Sequence, residues 1–134
     1  QKRQGYRLAM EESGLTVRPG FEVSSDMFSD IDALVDWIRE YRITALFVST
    51  DYTAISLMHK LQKAGVKIPD DLAIVGYDNI RMSNMTNPEL TTIHVPKKEL
   101  GEEAAKVVID HNKKNVSDEL EIVLKPKLIV RGSS

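Results

Sequence analysis

Two short, wholly apolar runs constrain this chain more than anything else in it. Ala45-Leu-Phe-Val48 and Leu72-Ala-Ile-Val75 hold no polar side chain, the pattern of strands buried on both faces. Between them, residues 51 to 64 carry a helical pattern, stopped by Gly65 and by Pro69 beyond it. Strand, helix and strand in this order make a βαβ unit, nearly always right-handed with parallel strands. Helix-like and strand-like segments alternate elsewhere too, which predicts an α/β fold with a mainly parallel sheet flanked by helices.

Around that unit the remaining elements follow from periodicity. Tyr6, Ala9, Met10 and Ser13 share a face of a first helix, closed by Gly14. Phe21 to Ser24 reads as a strand. Ser29 is the expected N-cap of the next helix, with Asp32 three residues on, and Ile31, Leu34, Val35 and Ile38 form its apolar stripe. Trp37 projects off that stripe, so it is either half exposed or set against a neighbouring subunit. Asp70-Asp71 after Pro69 reads as a turn, and residues 78 to 91 as a long loop. Leu100, Ala104, Val107, Val108 and His111 mark another helix, and the chain closes with strand-like Ile122–Leu124 and Leu128–Val130 around Pro126.

Several functions lack their chemistry here. Eighteen basic against twenty acidic side chains give a net charge of -2, with no clustered basic excess for nucleic acid. The pairs Lys97-Lys98 and Lys113-Lys114 read as solvated helix-end charges. With no cysteine, thiolate catalysis, disulfides and thiolate zinc sites are excluded. His59, His94 and His111 lack metal-ligand spacing, so no metal site and no cofactor is expected. There is no G-x-G-x-x-G, P-loop or G-x-S-x-G, so no catalytic residue is assigned. No apolar run approaches the roughly 20 residues that span a bilayer. The start at Gln1, almost at once inside a helical pattern, reads as a front truncation.

Ligands of open α/β sheets gather outside the carboxyl ends of the strands. Those ends carry Ser49, Thr50 and Asp51 after the first strand and Tyr77, Asp78 and Asn79 after the second. Carboxylates, hydroxyls and an amide at one rim suit a ligand with several O–H or N–H donors. The alternative is that Asp51 merely caps its helix and Asp78 opens a turn. Spacing alone leaves both open.

The stretch ALFVSTDYTAISLMHKLQKAGVKIPDDLAIVGYDN resembles the lac repressor (LacI/GalR) family, and so do NPELTTIHVPKKELGEEAAKVVID, the ending VLKPKLIVRGSS and the opening KRQGYRLAM. Together they run over nearly the whole chain in the family's order. The resemblance implies a periplasmic-binding-protein-like (type I) effector domain of two lobes. Residues 1–93 and 118–134 are expected in the C-terminal lobe, and 94–117 in a helix of the other lobe. A DNA-binding headpiece is expected outside this chain. It further implies a cytoplasmic regulator sensing a small molecule, with a sugar or sugar derivative ahead of a purine, and no membrane partner. The alternatives are an extracytoplasmic solute-binding protein and, third, a flavodoxin-like enzyme. Among site residues it assigns the effector first to Asp78, then to Asp51, to Thr50 where the family often has Asn, and to Tyr77. Lys2, with Arg3 beside it, stands where the family usually has Arg. A lysine is a point charge rather than a bidentate fork, which changes the contact. Asp26 lies near the rim after the strand at 21 to 24.

The helix from 51 to 64 carries Ala54, Leu57, Met58 and Leu61 in line, widened by Tyr52 and Ile55. That face is broader than a helix packed only on its own sheet needs. A homodimer is therefore expected, as the family forms, using Tyr52, Ile55 and Met58 with Met82 and Met85 from the loop.

Overall fold

Parallel pairing of the two apolar runs is the first feature of the computed structural model, which describes residues 1–111 and 121–134, with only the backbone of Ser25, Asp110 and His111. Strand β1 (Ala45–Phe47) pairs with β2 (Ala73–Asp78), which pairs in parallel with β3 (Thr91–His94). A short antiparallel β4 (Lys127–Ile129) completes the order β1-β2-β3-β4. The helices are α1 (Lys2–Glu12), α2 (Ile31–Glu40), α3 (Asp51–Lys63) and α4 (Lys97–His111). The mainly parallel α/β architecture read from periodicity is present.

The core lies between α2, α3 and one face of the sheet. Ala54, Leu57, Met58 and Leu61 recur at helical spacing and are fully buried against Leu72, Ile74 and Leu90, while Leu34 and Ile38 bring in α2. The helix ends are set by backbone chemistry. Thr50 caps α3, its hydroxyl accepting from the Thr53 N–H at 3.3 Å. Gly14 and Gly65 close α1 and α3 at positive φ, each donating to the carbonyl three residues back. Arg42 does the same for α2 at φ 51°, a left-handed position that strains a side-chain-bearing residue.

The structure corrects four local expectations. Phe21–Ser24 is not a strand: a turn from Arg18 to Phe21 and a 3-10 helix at Ser25–Ser29 occupy that stretch, which pairs with no neighbour. Asp30 rather than Ser29 caps α2, its carboxylate accepting from the Ala33 N–H. Trp37 is 7% exposed, tied by its indole N–H to the Gly20 carbonyl and packed on Tyr41, so it is part of the core. Ile122–Leu124 is outside the sheet, and Thr91–His94, of which only Thr91 fell in the expected loop and the rest had no element assigned, supplies the third strand.

The helix expected within 94–117 is seen from Lys97 to His111. Its continuation, Lys113-Lys114 and the start of the 118–134 segment lie outside the described residues. Leu100, Val108 and Ile109 of α4 are more than half exposed.

Candidate functional site

The C-terminal ends of β1 and β2 form the rim that the sequence singled out. After β1 the chain passes through Ser49 to Thr50, whose hydroxyl is occupied with Thr53 at the start of α3. Lys2 reaches this rim from α1. Its ammonium donates to the Ser49 carbonyl at 2.8 Å and sits 3.7 Å from the centre of the Tyr77 ring, close enough for a cation–π contact. Tyr77 in turn meets Phe47 edge to face, with ring centres 6.4 Å apart. On its other side Tyr77 borders an apolar hollow of about 180 Å³ with Val95, Pro96, Leu100, Leu124 and Pro126.

Asp78 ends β2 half-buried, at φ 112°, and Asn79 follows at φ 47°. Two successive non-glycine residues at positive φ are strained and need outside support. Lys97, at the start of α4, donates to the Asp78 carbonyl. The Asn79 N–H donates to the Thr92 hydroxyl at 3.3 Å, and its side-chain oxygen accepts from the Arg131 guanidinium at 2.8 Å. Arg131 also donates to the Leu90 carbonyl at 2.7 Å. The R-G-S-S ending thus stitches the loop between β2 and β3. Fully buried Ser133 donates to the Ile74 carbonyl and accepts from the Thr91 N–H.

Asp51 turns the other way. It is fully buried, with one carboxyl oxygen accepting from the Thr92 hydroxyl at 2.6 Å and the other from the Ile80 N–H at 2.9 Å. It has no surface for an effector to touch, and it neither caps α3 nor faces the rim: it fixes the loop that follows Asp78. Arg3 pairs with Glu22 at 3.7 Å on the exposed side of α1, next to Arg7. Glu22, hydrogen-bonded by Arg7, is held below the ordinary carboxylate range. Asp26 is exposed on the 3-10 helix, where the Ser24 hydroxyl donates to it at 3.4 Å. Among the described residues, no hydrogen bond or ion pair joins Arg3 or Asp26 to Lys2, Tyr77 or Asp78. The structure thus joins Lys2 to the Ser49 carbonyl and the Tyr77 ring, leaves Thr50 and Asp78 next along the chain at the two strand ends, pairs Arg3 with Glu22 and Asp26 with Ser24 elsewhere, and buries Asp51.

Of the residues expected at a dimer contact, Met58 is 1% exposed in its own core and is removed from that role. Tyr52 is 68%, Met82 49% and Met85 74% exposed, and Ile55 is half-buried beside the core. A hollow of about 270 Å³ lies along α3 between Tyr52, Ser56, Lys60 and Phe28.

Sequence reasoning gave no site role to Thr92, His94 or Arg131 and read Lys97 as a solvated helix-end charge, whereas it donates to the Asp78 carbonyl. For two of them the sheet register is the missing signal: Gly76 pairs with Thr92 and Asp78 with His94, so β3 supports the end of β2.

Donors on Lys2 and Lys97, an acceptor on Asp78 and the Tyr77 ring make a rim suited to a polar ligand with an apolar face. The fold is that of a periplasmic-binding-protein-like domain, and the family model described as "Periplasmic binding protein-like domain" matches residues 1–134. The HTH-type transcriptional repressor PurR of Vibrio campbellii is 36% identical over 132 residues, 96% of this chain and 40% of that protein. The ribose operon repressor of Escherichia coli is 35% identical over 136 residues, 98% of this chain and 41% of that protein. The solved structure of a transcriptional regulator CelR–cellobiose complex aligns at TM-score 0.85 and 25% identity, over 98% of this chain and 41% of that one. The chain belongs to the lac repressor (LacI/GalR) family and corresponds to part of its effector-binding domain. It spans about 40% of the length of these relatives.

Proposed function

We propose that this chain is the effector-binding and dimerisation part of a transcriptional repressor that senses a sugar or sugar derivative, with a purine as the next choice. The observation that carries the reading is the strand end itself, where the Lys2–Tyr77 contact is followed at once along β2 by the half-buried Asp78. Its carboxylate takes two donors of a diol or nucleobase edge while Tyr77 lies against the ligand's apolar face. Lys2 supplies further donors, while the Thr50 hydroxyl, already donating to Thr53, keeps one lone pair to accept with. The names of the relatives, the repressor PurR and the ribose operon repressor, and the cellobiose in the CelR complex support a repressor with a sugar-class ligand. Operator DNA is read by a headpiece outside these residues, and the protein works in the cytoplasm. No helix among the described residues is long and apolar enough to cross a membrane.

The test is a thermal-shift screen of the complete two-lobed protein with ribose, glucose, cellobiose and adenine. A ligand that binds only the native state raises its stability. One of these compounds is expected to raise Tm, and Asp78→Ala to weaken that ligand about 10- to 100-fold, the loss of a charge-assisted hydrogen bond. Equal shifts in wild type and Asp78→Ala overturn the reading.

A further inference from the structure

The end of β2 is held by a histidine that the effector reading does not use. The Asn79 side-chain oxygen faces Arg131 at 2.8 Å, and a guanidinium only donates. That contact fixes the orientation of the amide, so the Asn79 NH₂ group faces the Nδ1 atom of His94, 3.2 Å away. An amide NH₂ only donates, so Nδ1 must be a bare acceptor. The ring proton therefore sits on Nε2 and the imidazole is neutral while this contact is made.

We propose that neutral His94 is a positioning residue for the effector site: through Asn79 it latches the strained Asp78–Asn79 corner, and its protonation releases that latch and weakens effector binding. The proposal rests on the effector reading of Asp78. Three observations carry it. Asp78 and Asn79 both stand at positive φ and depend on outside contacts. His94 pairs in register with Asp78 across the sheet, so the two residues share one level of β2 and β3. His94 is half-buried rather than sealed, so solvent protons reach it. The charged groups set around the ring are Asp78 on β2, Lys127 opposite it on β4, Arg131 beyond the Asn79 amide and Lys97 on α4, which donates to the Asp78 carbonyl. Once charged, His94 has a proton at Nδ1 that collides with the amide hydrogens of Asn79. Because Arg131 holds the amide oxygen, the amide cannot turn over to accept that proton.

Two measurements test this. Nitrogen-15 spectra of the chain at about pH 8, where imidazole is ordinarily neutral, read the His94 tautomer without any ligand. A proton on Nε2 and a bare Nδ1 are expected, and a proton on Nδ1 overturns the latch. The second measurement is the affinity of the complete protein for whichever of ribose, glucose, cellobiose or adenine raises its Tm, followed from about pH 8 to pH 5. Wild type is expected to weaken about 3- to 10-fold as the pH falls, the worth of one neutral hydrogen bond. His94→Gln keeps an acceptor for the amide but does not titrate, and is expected to hold wild-type affinity with a flatter profile. His94→Leu is expected to bind about 3- to 10-fold more weakly at the upper pH. A His94→Leu variant equal to wild type there, or a His94→Gln variant with the wild-type pH profile, overturns the proposal. If the effector reading itself fails, Asp78→Ala leaves affinity unchanged, and the tautomer alone then decides the latch.

Discussion

At the level of single residues, the polar chemistry of Asp51 depends on an absent side chain opposite it. A Cβ built on Gly76 would stand 2.2 Å from the Asp51 carboxyl oxygen and 3.0 Å from Leu90 Cδ2. Asp51 cannot retreat, because both its oxygens are engaged by Thr92 and Ile80. Gly76→Ala is therefore expected to destabilise the chain by about 1–3 kcal/mol, the range for overpacking a filled interior. In an Asp51→Ala background the same substitution is expected to cost less, since the obstructing oxygen is gone. Urea denaturation of the four chains measures this coupling, and additive effects would show that the crowding is relieved elsewhere. Arg42 gives the opposite sign. Its left-handed backbone at the end of α2 suits glycine, so Arg42→Gly is expected to stabilise by about 0.5–1 kcal/mol, read as a raised urea midpoint. The sequence placed Thr50 and Asp51 at a strand end but could not say which way each turned. That direction is decided by Gly76 and Thr92, residues far along the chain whose relation to Asp51 exists only once β2 and β3 are paired.

Elements were legible where a hydrophobic period was long enough to have one solution. The βαβ unit with its parallel strands and the stops at Gly14 and Gly65 follow from local residues, but burial of both strands does not: β1 lies at the sheet edge with Ala45 and Phe47 exposed. Short apolar pieces were not: Phe21–Ser24 and Ile122–Leu124 have strand composition, yet pairing needs a neighbour that periodicity cannot supply. Thr91–His94 shows the reverse, a short strand with two buried threonines whose polarity left it without an assigned element beyond the loop expected to Thr91. Helix α3 is the instructive intermediate. Its line of Ala54, Leu57, Met58 and Leu61 is used up inside the chain, which leaves Tyr52 and the half-buried Ile55 as the outward row. A homodimer through α3 and the Met82–Met85 loop is the reading this narrower surface supports, since exposed apolar groups on one side of a molecule commonly mark a partner. Ile55→Glu in the complete protein is expected to weaken dimerisation by about 2 kcal/mol, the scale of an interface hot spot. Sedimentation beside wild type decides it: a dimer indifferent to that charge removes α3 from the interface, and a monomeric wild type removes the dimer.

For the whole molecule, the site is built from one side only. Lys2, Thr50, Tyr77 and Asp78 stand at the proposed rim, and Leu100 and Val108 on the apolar stripe of α4 are more than half exposed, although Leu100 also borders the hollow beside Tyr77. The chain covers about 40% of the relatives' length. We propose that a second lobe outside this chain closes over this rim; the sequence implies it only through resemblance, because no residue pattern inside the chain describes a surface that lies outside it. Ligand pockets ordinarily bury most of their ligand's surface. A rim that covers one face supplies part of the hydrogen bonds and little exclusion of water, so each polar contact is made in competition with solvent. The isolated chain is accordingly expected to bind the effector at least about 100-fold more weakly than the complete domain, since losing two or more contacts of roughly 1.5 kcal/mol each already gives that factor. Isothermal titration of both proteins with the same ligand measures the difference. Equal affinities would mean that Asp78, Lys2 and Tyr77 form a self-sufficient pocket and that closure by a second lobe adds nothing to binding.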